Sequence, residues 1–321
     1  MRHAFLLLFL CACSSLSSEE RDQLSGYIRN AKFYYEGGKL EQALGQIERG
    51  LELESDNYTL LTMRGTVLLR QSGSAQGTDH KLLDAATASL RSVFESRSPN
   101  RHEPSLLLTY ALALQKQGRR HKGEALRLRD QATRAPDKAD FEARAAVEQE
   151  QATQLLGEAR AALEILVERG ETLRVAHSHL LQIAQDLGDD TGFTAAATAY
   201  LAQCEKDQAA VKREIERTTE PNYETEQLRN LTAMRAEELE VRSLLAEHAF
   251  ARQRYDDALV HLNRVIEIDP QRTVDYYNRG RVLLELKRND DAKADFRKFL
   301  AMPTLPGSAD KRTLAARALD Q

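Results

Sequence analysis

Residues 255–270, YDDALVHLNRVIEIDP, and residues 289–303, NDDAKADFRKFLAMP, carry one pattern twice. Each opens on an acidic pair, places Ala next (Ala258, Ala292), an apolar residue four positions on (Leu262, Phe296), two more apolar residues beyond it, and then proline. Apolar residues at that spacing fall on one stripe of an α-helix, and the proline ends it. Ala258 and Ala292 stand 34 residues apart. A unit of that length holds two helices and cannot bury its own apolar faces, so it must stack on neighbours of the same kind.

Extended outward, the frame acquires a first helix. Tyr276, Gly280 and Leu283 precede Ala292 and Phe296, while Ala246 and Tyr255 precede Ala258, Leu262 and Pro270. In this order the residues resemble the tetratricopeptide repeat, at its Trp, Gly, Tyr, Ala and Phe positions. The resemblance implies an all-α fold, an α-solenoid of tetratricopeptide-like helical hairpins, in which the first helix of each repeat lines a concave binding surface. Small residues at the marked positions let two helix backbones approach closely.

The same frame fits the N-terminal part. Tyr27, Ala31, Tyr34, Gly38, Ala43 and Ile47 give two helices turning at Gly37-Gly38. A second repeat follows with Leu61, Gly65, Leu68, Ala86, Leu90 and Val93, interrupted by about nine inserted residues, SGSAQGTDH, that read as a flexible surface loop. A third runs from Pro104 through Leu107, Ala111, Leu114, Gly118 and Gly123 to Pro136. Beyond it the frame dissolves into longer helices. The first covers residues 138–169, about 48 Å at 1.5 Å per residue, and stops at Gly170. A degenerate repeat turns at Gly188, and a further helix ends at Glu220-Pro221. The expected organisation is therefore residues 24–136 as N-terminal repeats, 137–238 as a long-helix middle region, 239–304 as the C-terminal pair and 305–321 as a capping helix.

Composition agrees: the chain has seven Pro, no Trp and few runs of β-branched and aromatic residues among its 321 positions. At the N-terminus, Arg2 precedes an apolar run from Ala4 to Ala12 that is far shorter than the roughly 20 residues of a membrane-crossing helix, so it reads as a secretion signal. Leu10-Cys11-Ala12-Cys13 resembles the lipobox of bacterial lipoproteins, with Cys11 where a smaller or β-branched residue is more usual. That resemblance implies cleavage after residue 12, lipidation of Cys13, a short tether over residues 13–23, and, with Ser14 following, an outer-membrane location facing the periplasm. Cys204 is then the one remaining thiol and reads as a small packed residue.

Catalytic signatures are absent from the sequence: there is no Gly-rich phosphate loop, no HExxH, no CxxC and no nucleophile elbow. His177 and His179 are two apart, so on a helix they point about 200° from each other and cannot grip one ion. Asp257 and His261 have better spacing but no third ligand. No enzyme activity, cofactor or metal is expected. A net charge of −4 and the export signal argue against nucleic acid.

What is expected instead is a protein–protein interaction scaffold in the cell envelope, with envelope proteins as partners. By the resemblance, the partner-facing positions include Lys32, Tyr35, Thr62, Thr66, Tyr277 and Arg281. Tyr and Arg are the usual anchors of interfaces, which singles out Tyr35, Tyr277 and Arg281. A basic cluster of Arg119, Arg120 and Lys122, at the expected turn of the third repeat, is a candidate contact for anionic lipid headgroups. The alternative function is a module binding a glycan or peptidoglycan fragment, for which Tyr27, Tyr34, Tyr35 and Tyr58 would supply an aromatic platform.

Overall fold

The computed structural model describes residues 16–74, 77–171, 173–304 and 306–319. The signal peptide and Cys13 lie outside them. Among the described residues the chain is all-α apart from one two-residue ladder, and it divides at Thr172/Leu173 into two compact units.

Unit 1 holds α1 (Ser18–Glu36), α2 (Leu40–Leu53), α3 (Tyr58–Ser72), α4 (His80–Phe94), α5 (Pro104–Ala132) and α6 (Lys138–Glu168). They pack as three hairpins, α1/α2, α3/α4 and α5/α6, each on the next. The core between α1, α2 and α3 includes Ala31, Ala43, Ile47 and Leu60, all fully buried. Gly65 shows why the repeat frame wants small residues: a Cβ there would lie 2.3 Å from Leu90 Cγ, so α3 and α4 could not approach as they do.

Three expectations change here. The tether does not extend to residue 23, because α1 begins at Ser18. Ser17 caps it in a reciprocal box, accepting from the Glu20 N–H at 3.2 Å and donating its own N–H to Glu20 Oε2 at 2.8 Å. The insertion is no plain loop: Gly73–Ser74 (β1) pairs antiparallel with Gly77–Thr78 (β2). Between them Ala75 and Gln76 lie outside the described residues.

The third change is larger. α5 runs unbroken through Gly118 and Gly123, so the repeat expected over residues 104–136 is not a hairpin by itself. Gly118 is a contact glycine, where a Cβ would sit 2.7 Å from Leu156 Cγ of α6. The boundary drawn between residues 136 and 137 therefore separates the two arms of one hairpin. α6 then stops at Gly170, which takes a positive φ of 72°.

Unit 2 holds α7 (Leu173–Leu187), α8 (Asp190–Arg217), α9 (Pro221–Ala251), α10 (Tyr255–Ile268), α11 (Thr273–Glu285), α12 (Asn289–Ala301) and α13 (Ala309–Leu319). Again three hairpins pack in order, α7/α8, α9/α10 and α11/α12, and α13 covers α12. The boundary drawn at residue 238 falls inside α9. At Gly280 a Cβ would meet Phe296 Cε1 at 2.6 Å, the counterpart in α11/α12 of the Gly65–Leu90 contact.

Candidate functional site

The six residues expected on a binding face do not share one environment. Thr62 and Thr66 donate their hydroxyls to backbone carbonyls one turn back, Tyr58 O at 2.7 Å and Thr62 O at 2.8 Å, so both are turned onto their own helix. Lys32 is exposed and forms a 3.9 Å ion pair with Glu36. Tyr35 is half-buried against the unit 1 core, with the Arg70 guanidinium 5.5 Å from its ring centre.

Tyr277 has to be corrected outright. It is 5% exposed and packs on Phe296 and Phe299, so it belongs to the core of α11–α13 and does not face a partner. Its ring centre lies 6.0 Å from that of Phe296 and 5.3 Å from that of Phe299, both on α12, in a cluster that also takes in Ala315 of α13. The four N-terminal tyrosines, Tyr27, Tyr34, Tyr35 and Tyr58, are all half-buried. Tyr34 is set edge-on to Phe33 and, like Tyr35, packs on the core, while Tyr27 Cβ lies close to Gly50.

The basic cluster sits mid-helix on α5, not at a turn. Arg120 donates to Asp84 Oδ1 of α4 at 3.0 Å and lies 2.9 Å from the His121 ring, and His121 Nδ1 is 2.6 Å from Glu148 Oε2 of α6. Arg119 and Lys122 have partners as well. Arg120 thus links α5 to α4, and His121 links α5 to α6.

Arg281 is different, and the fold around it explains why. At the N-terminus of α11, Arg272 binds Asp275 Oδ2 at 2.6 Å, Glu240 Oε1 at 3.1 Å and Ser243 Oγ at 3.3 Å, which locks α11 against α9. Further along, Arg279 grips both carboxylate oxygens of Asp295, each at 2.7 Å, and Gly280 seats against Phe296. Position 281 is left exposed, with its guanidinium 4.4 Å from the centre of the Phe250 ring and 5.9 Å from that of Tyr277. On the other side, Arg312 donates to the carbonyls of Phe299, Leu300 and Met302 at 3.4, 2.6 and 3.3 Å, satisfying the open end of α12 and docking α13. Docking in turn brings Lys311 to 5.9 Å from the Tyr277 ring.

The result is a hollow of about 260 Å³ whose lining includes Glu247 and Phe250 of α9, Asn278, Arg281 and Val282 of α11 and Lys311 of α13. Among the described residues no carboxylate pairs with Arg281 or Lys311. Sequence reasoning found Arg281 but missed Phe250, Asn278 and Lys311. Phe250 and Lys311 lie 31 and 30 positions away from Arg281, a separation with no local signal, and Lys311 depends on the docking of a helix outside the repeat frame.

Elsewhere in unit 2 a hollow of about 410 Å³ is lined by Arg174, Tyr200 and Glu237, among others, but its polar groups are spent on each other. The Tyr200 hydroxyl donates to Glu237 Oε2 at 2.6 Å, and burial with that carboxylate beside it pushes the phenol well above its usual range. Arg174 binds Glu237 and also reaches Asp207 at 3.4 Å. His177 is half-buried, and burial lowers its pKa. Asp257 lies 3.7 Å from Arg254, and His261 Nδ1 is buried with no hydrogen-bond partner among the described residues. No group of three or more metal-ligating side chains forms among the described residues. Nor is any described helix long and apolar enough to cross a membrane.

No protein-family model matches the sequence, and no curated protein matches it. Solved structures do. A thermophilic TPR protein of Thermus thermophilus is 17% identical, with 81% of this chain and 99% of that one covered and a TM-score of 0.34. A tetratricopeptide repeat protein of Parabacteroides merdae is 15% identical over 93% and 98%, with a TM-score of 0.33. The nuclear import adaptor Nro1 of S. pombe is 12% identical over 98% and 100%, with a TM-score of 0.36.

Proposed function

We propose that this protein is a non-enzymatic interaction scaffold of the bacterial cell envelope, lipid-anchored through Cys13 at the outer membrane and facing the periplasm, that holds a partner protein for assembly or regulation of an envelope complex. The observation that carries the reading is Arg281 of α11 over the Phe250 ring, in one hollow with Lys311 of α13: two exposed or half-exposed cations with no described carboxylate partner, close to aromatic rings. Arg and aromatic side chains held in place before binding lose little entropy on contact, which is what an interface anchor requires. The anchoring half of the proposal is supported by the apolar run and Leu10-Cys11-Ala12-Cys13. Several acyl chains would hold the protein far more firmly than one.

The test has two arms. Cys13→Ser is expected to move the protein out of the membrane fraction and to abolish labelling by a palmitate analogue; unchanged fractionation without labelling of the unaltered protein would overturn the anchor. Arg281→Ala with Lys311→Ala is expected to release the co-purifying envelope partner, whereas Val260→Ser with Arg297→Ala, both at exposed positions away from the hollow, is expected to retain it. Equal recovery from the two would remove the hollow as the site.

A further inference from the structure

Resting on that reading of the hollow, we infer that it takes an acidic segment of the partner, with an internal Asp or Glu side chain between Arg281 and Lys311. Size comes first. About 260 Å³ lies below the roughly 300–1,000 Å³ typical of small-molecule sites and accommodates one or two side chains. A short peptide segment fits, and a drug-sized ligand does not.

Charge narrows the class. Arg281 and Lys311 bring two positive charges and Glu247 one negative, so the lining carries one net positive charge that a monoanion neutralises. A phosphate, nearly a dianion at neutral pH, would overshoot beside Glu247. A guanidinium also presents paired N–H donors that match the two oxygens of a carboxylate. That of Arg281 already sits 4.4 Å from the centre of the Phe250 ring, so binding leaves less side-chain freedom to lose.

The same stacking argues against a sugar. A glycan platform needs a bare aromatic face, yet Arg281 lies over Phe250, and Lys311 lies within 6 Å of the Tyr277 ring. Asn278 adds a neutral amide able to bond the segment's backbone.

The experiment is a fluorescence-polarisation titration of the full chain with amide-capped decapeptides. One carries two internal glutamates flanking a phenylalanine, a second has glutamines in their place, a third has phosphoserines, and a fourth is the glutamine peptide with a free C-terminus. The acidic peptide should bind about tenfold or more tightly than its glutamine counterpart, a difference that Arg281→Gln or Lys311→Gln should erase. Raising salt should weaken it, since part of the attraction is screened. Melts of both variants near that of the unaltered protein would show that folding is intact. Equal binding of the glutamate and glutamine peptides overturns the inference, as does tightest binding of the phosphopeptide or of the free C-terminus. If no peptide binds but the Arg281/Lys311 variant still releases the partner from membranes, the acidic assignment fails and the hollow stands. If the partner is also retained, both fall.

Discussion

Units 1 and 2 are each three helical hairpins deep, yet they are held together by different means. Among the described residues, every buried charged side chain lies in unit 2: Glu238, Arg242, Asp275 and Asp295. Glu238, 2% exposed, accepts from Gln208 at 2.8 Å and from Arg242 at 2.8 Å, while Arg242 reaches on to Glu205 at 3.0 Å, which joins α8 to α9. Unit 1 buries only neutral polar groups, and its ion pairs between hairpins, Arg64–Glu48, Arg91–Glu158 and Arg120–Asp84, are partly exposed. The lesson concerns what a repeat frame can drop. Unit 2 gives up apolar residues at inner positions and replaces them with paired charges, whose value depends on every partner being present.

The largest effect follows from that dependence. Glu238→Ala leaves Arg242, 8% exposed, with Glu205 alone and Gln208 with only the Cys204 Sγ at 3.3 Å, and breaking a buried pair in this way costs up to about 3–5 kcal/mol. Glu48→Ala removes a pair whose side chains are 33% and 45% exposed, and should cost no more than about 1 kcal/mol. Denaturant titration of the whole chain, with hydrogen exchange assigning the loss to a unit, checks the ranking. Similar losses from both variants would break the contrast.

Next come the contact glycines, where the two units should behave alike. Gly65→Ala and Gly280→Ala each drive a Cβ to within 3 Å of a fully packed side chain, Leu90 or Phe296, and should cost about 1–3 kcal/mol. Gly123→Ala meets nothing within 4 Å and lies mid-helix, so it should gain about 0.5–1 kcal/mol. Thermal melts that rank the three alike would show that close approach is not what the frame encodes.

These glycines also mark how far the sequence could be read. Gly65 and Gly280 were legible, because a small residue at a fixed place before a bulky one repeats across the chain. Gly118 was misleading: it stands seven residues after Ala111, as Gly38 stands after Ala31, and so reads as a turn, but it meets Leu156 of α6, because α5 runs on past it and nothing between Arg119 and Ala132 stops a helix. The C-terminal pair fixed the architecture locally. The hollow was legible only at Arg281, since Phe250 and Lys311 reach it from α9 and α13 through tertiary docking, and Tyr277 was misplaced because its ring packs on Phe296 and Phe299 of α12.

Turn chemistry sharpens the comparison at a smaller scale. Gly38 in unit 1 and Gly188 in unit 2 close hairpins at φ of 71° and 69°, while unit 2 closes its other two with Gln253 at 59° and Lys287 at 60°. All four turns share one bond, such as Lys39 N–H to Tyr34 O at 2.8 Å and Arg288 N–H to Leu283 O at 2.8 Å, the signature of a helix ended by a left-handed residue. A side chain in that region costs about 1–2 kcal/mol, partly offset by the entropy glycine loses. Gln253→Gly and Lys287→Gly should therefore each stabilise unit 2 by up to about 1 kcal/mol, and Gly38→Ala should weaken unit 1 by a similar amount. A neutral result at all three would mean that the turns relax.

The smallest effect is the response of unit 2 to mild acid. Burial lowers the pKa of His177, His248 and His261, with Arg252 acting further on His248, and Arg242 on His261, against the opposing pull of Asp190 and Asp257. In the unfolded chain these imidazoles take a proton near pH 6.5. As the pH falls through that value the unfolded state binds protons that the folded state refuses, so stability present above about pH 6.5 is lost progressively toward the lower folded values. Ordinary carboxylates stay ionised between pH 7.5 and 5.5, so that interval isolates histidine from acid unfolding. Hydrogen exchange, corrected for its intrinsic pH dependence, should show unit 2 losing protection across the interval in the unaltered protein. The variant with His177, His248 and His261 all changed to Gln should give a flatter response. If the two respond with equal slope, the buried histidines do not set the acid sensitivity of unit 2, and the difference between the units rests on the buried ion pairs alone.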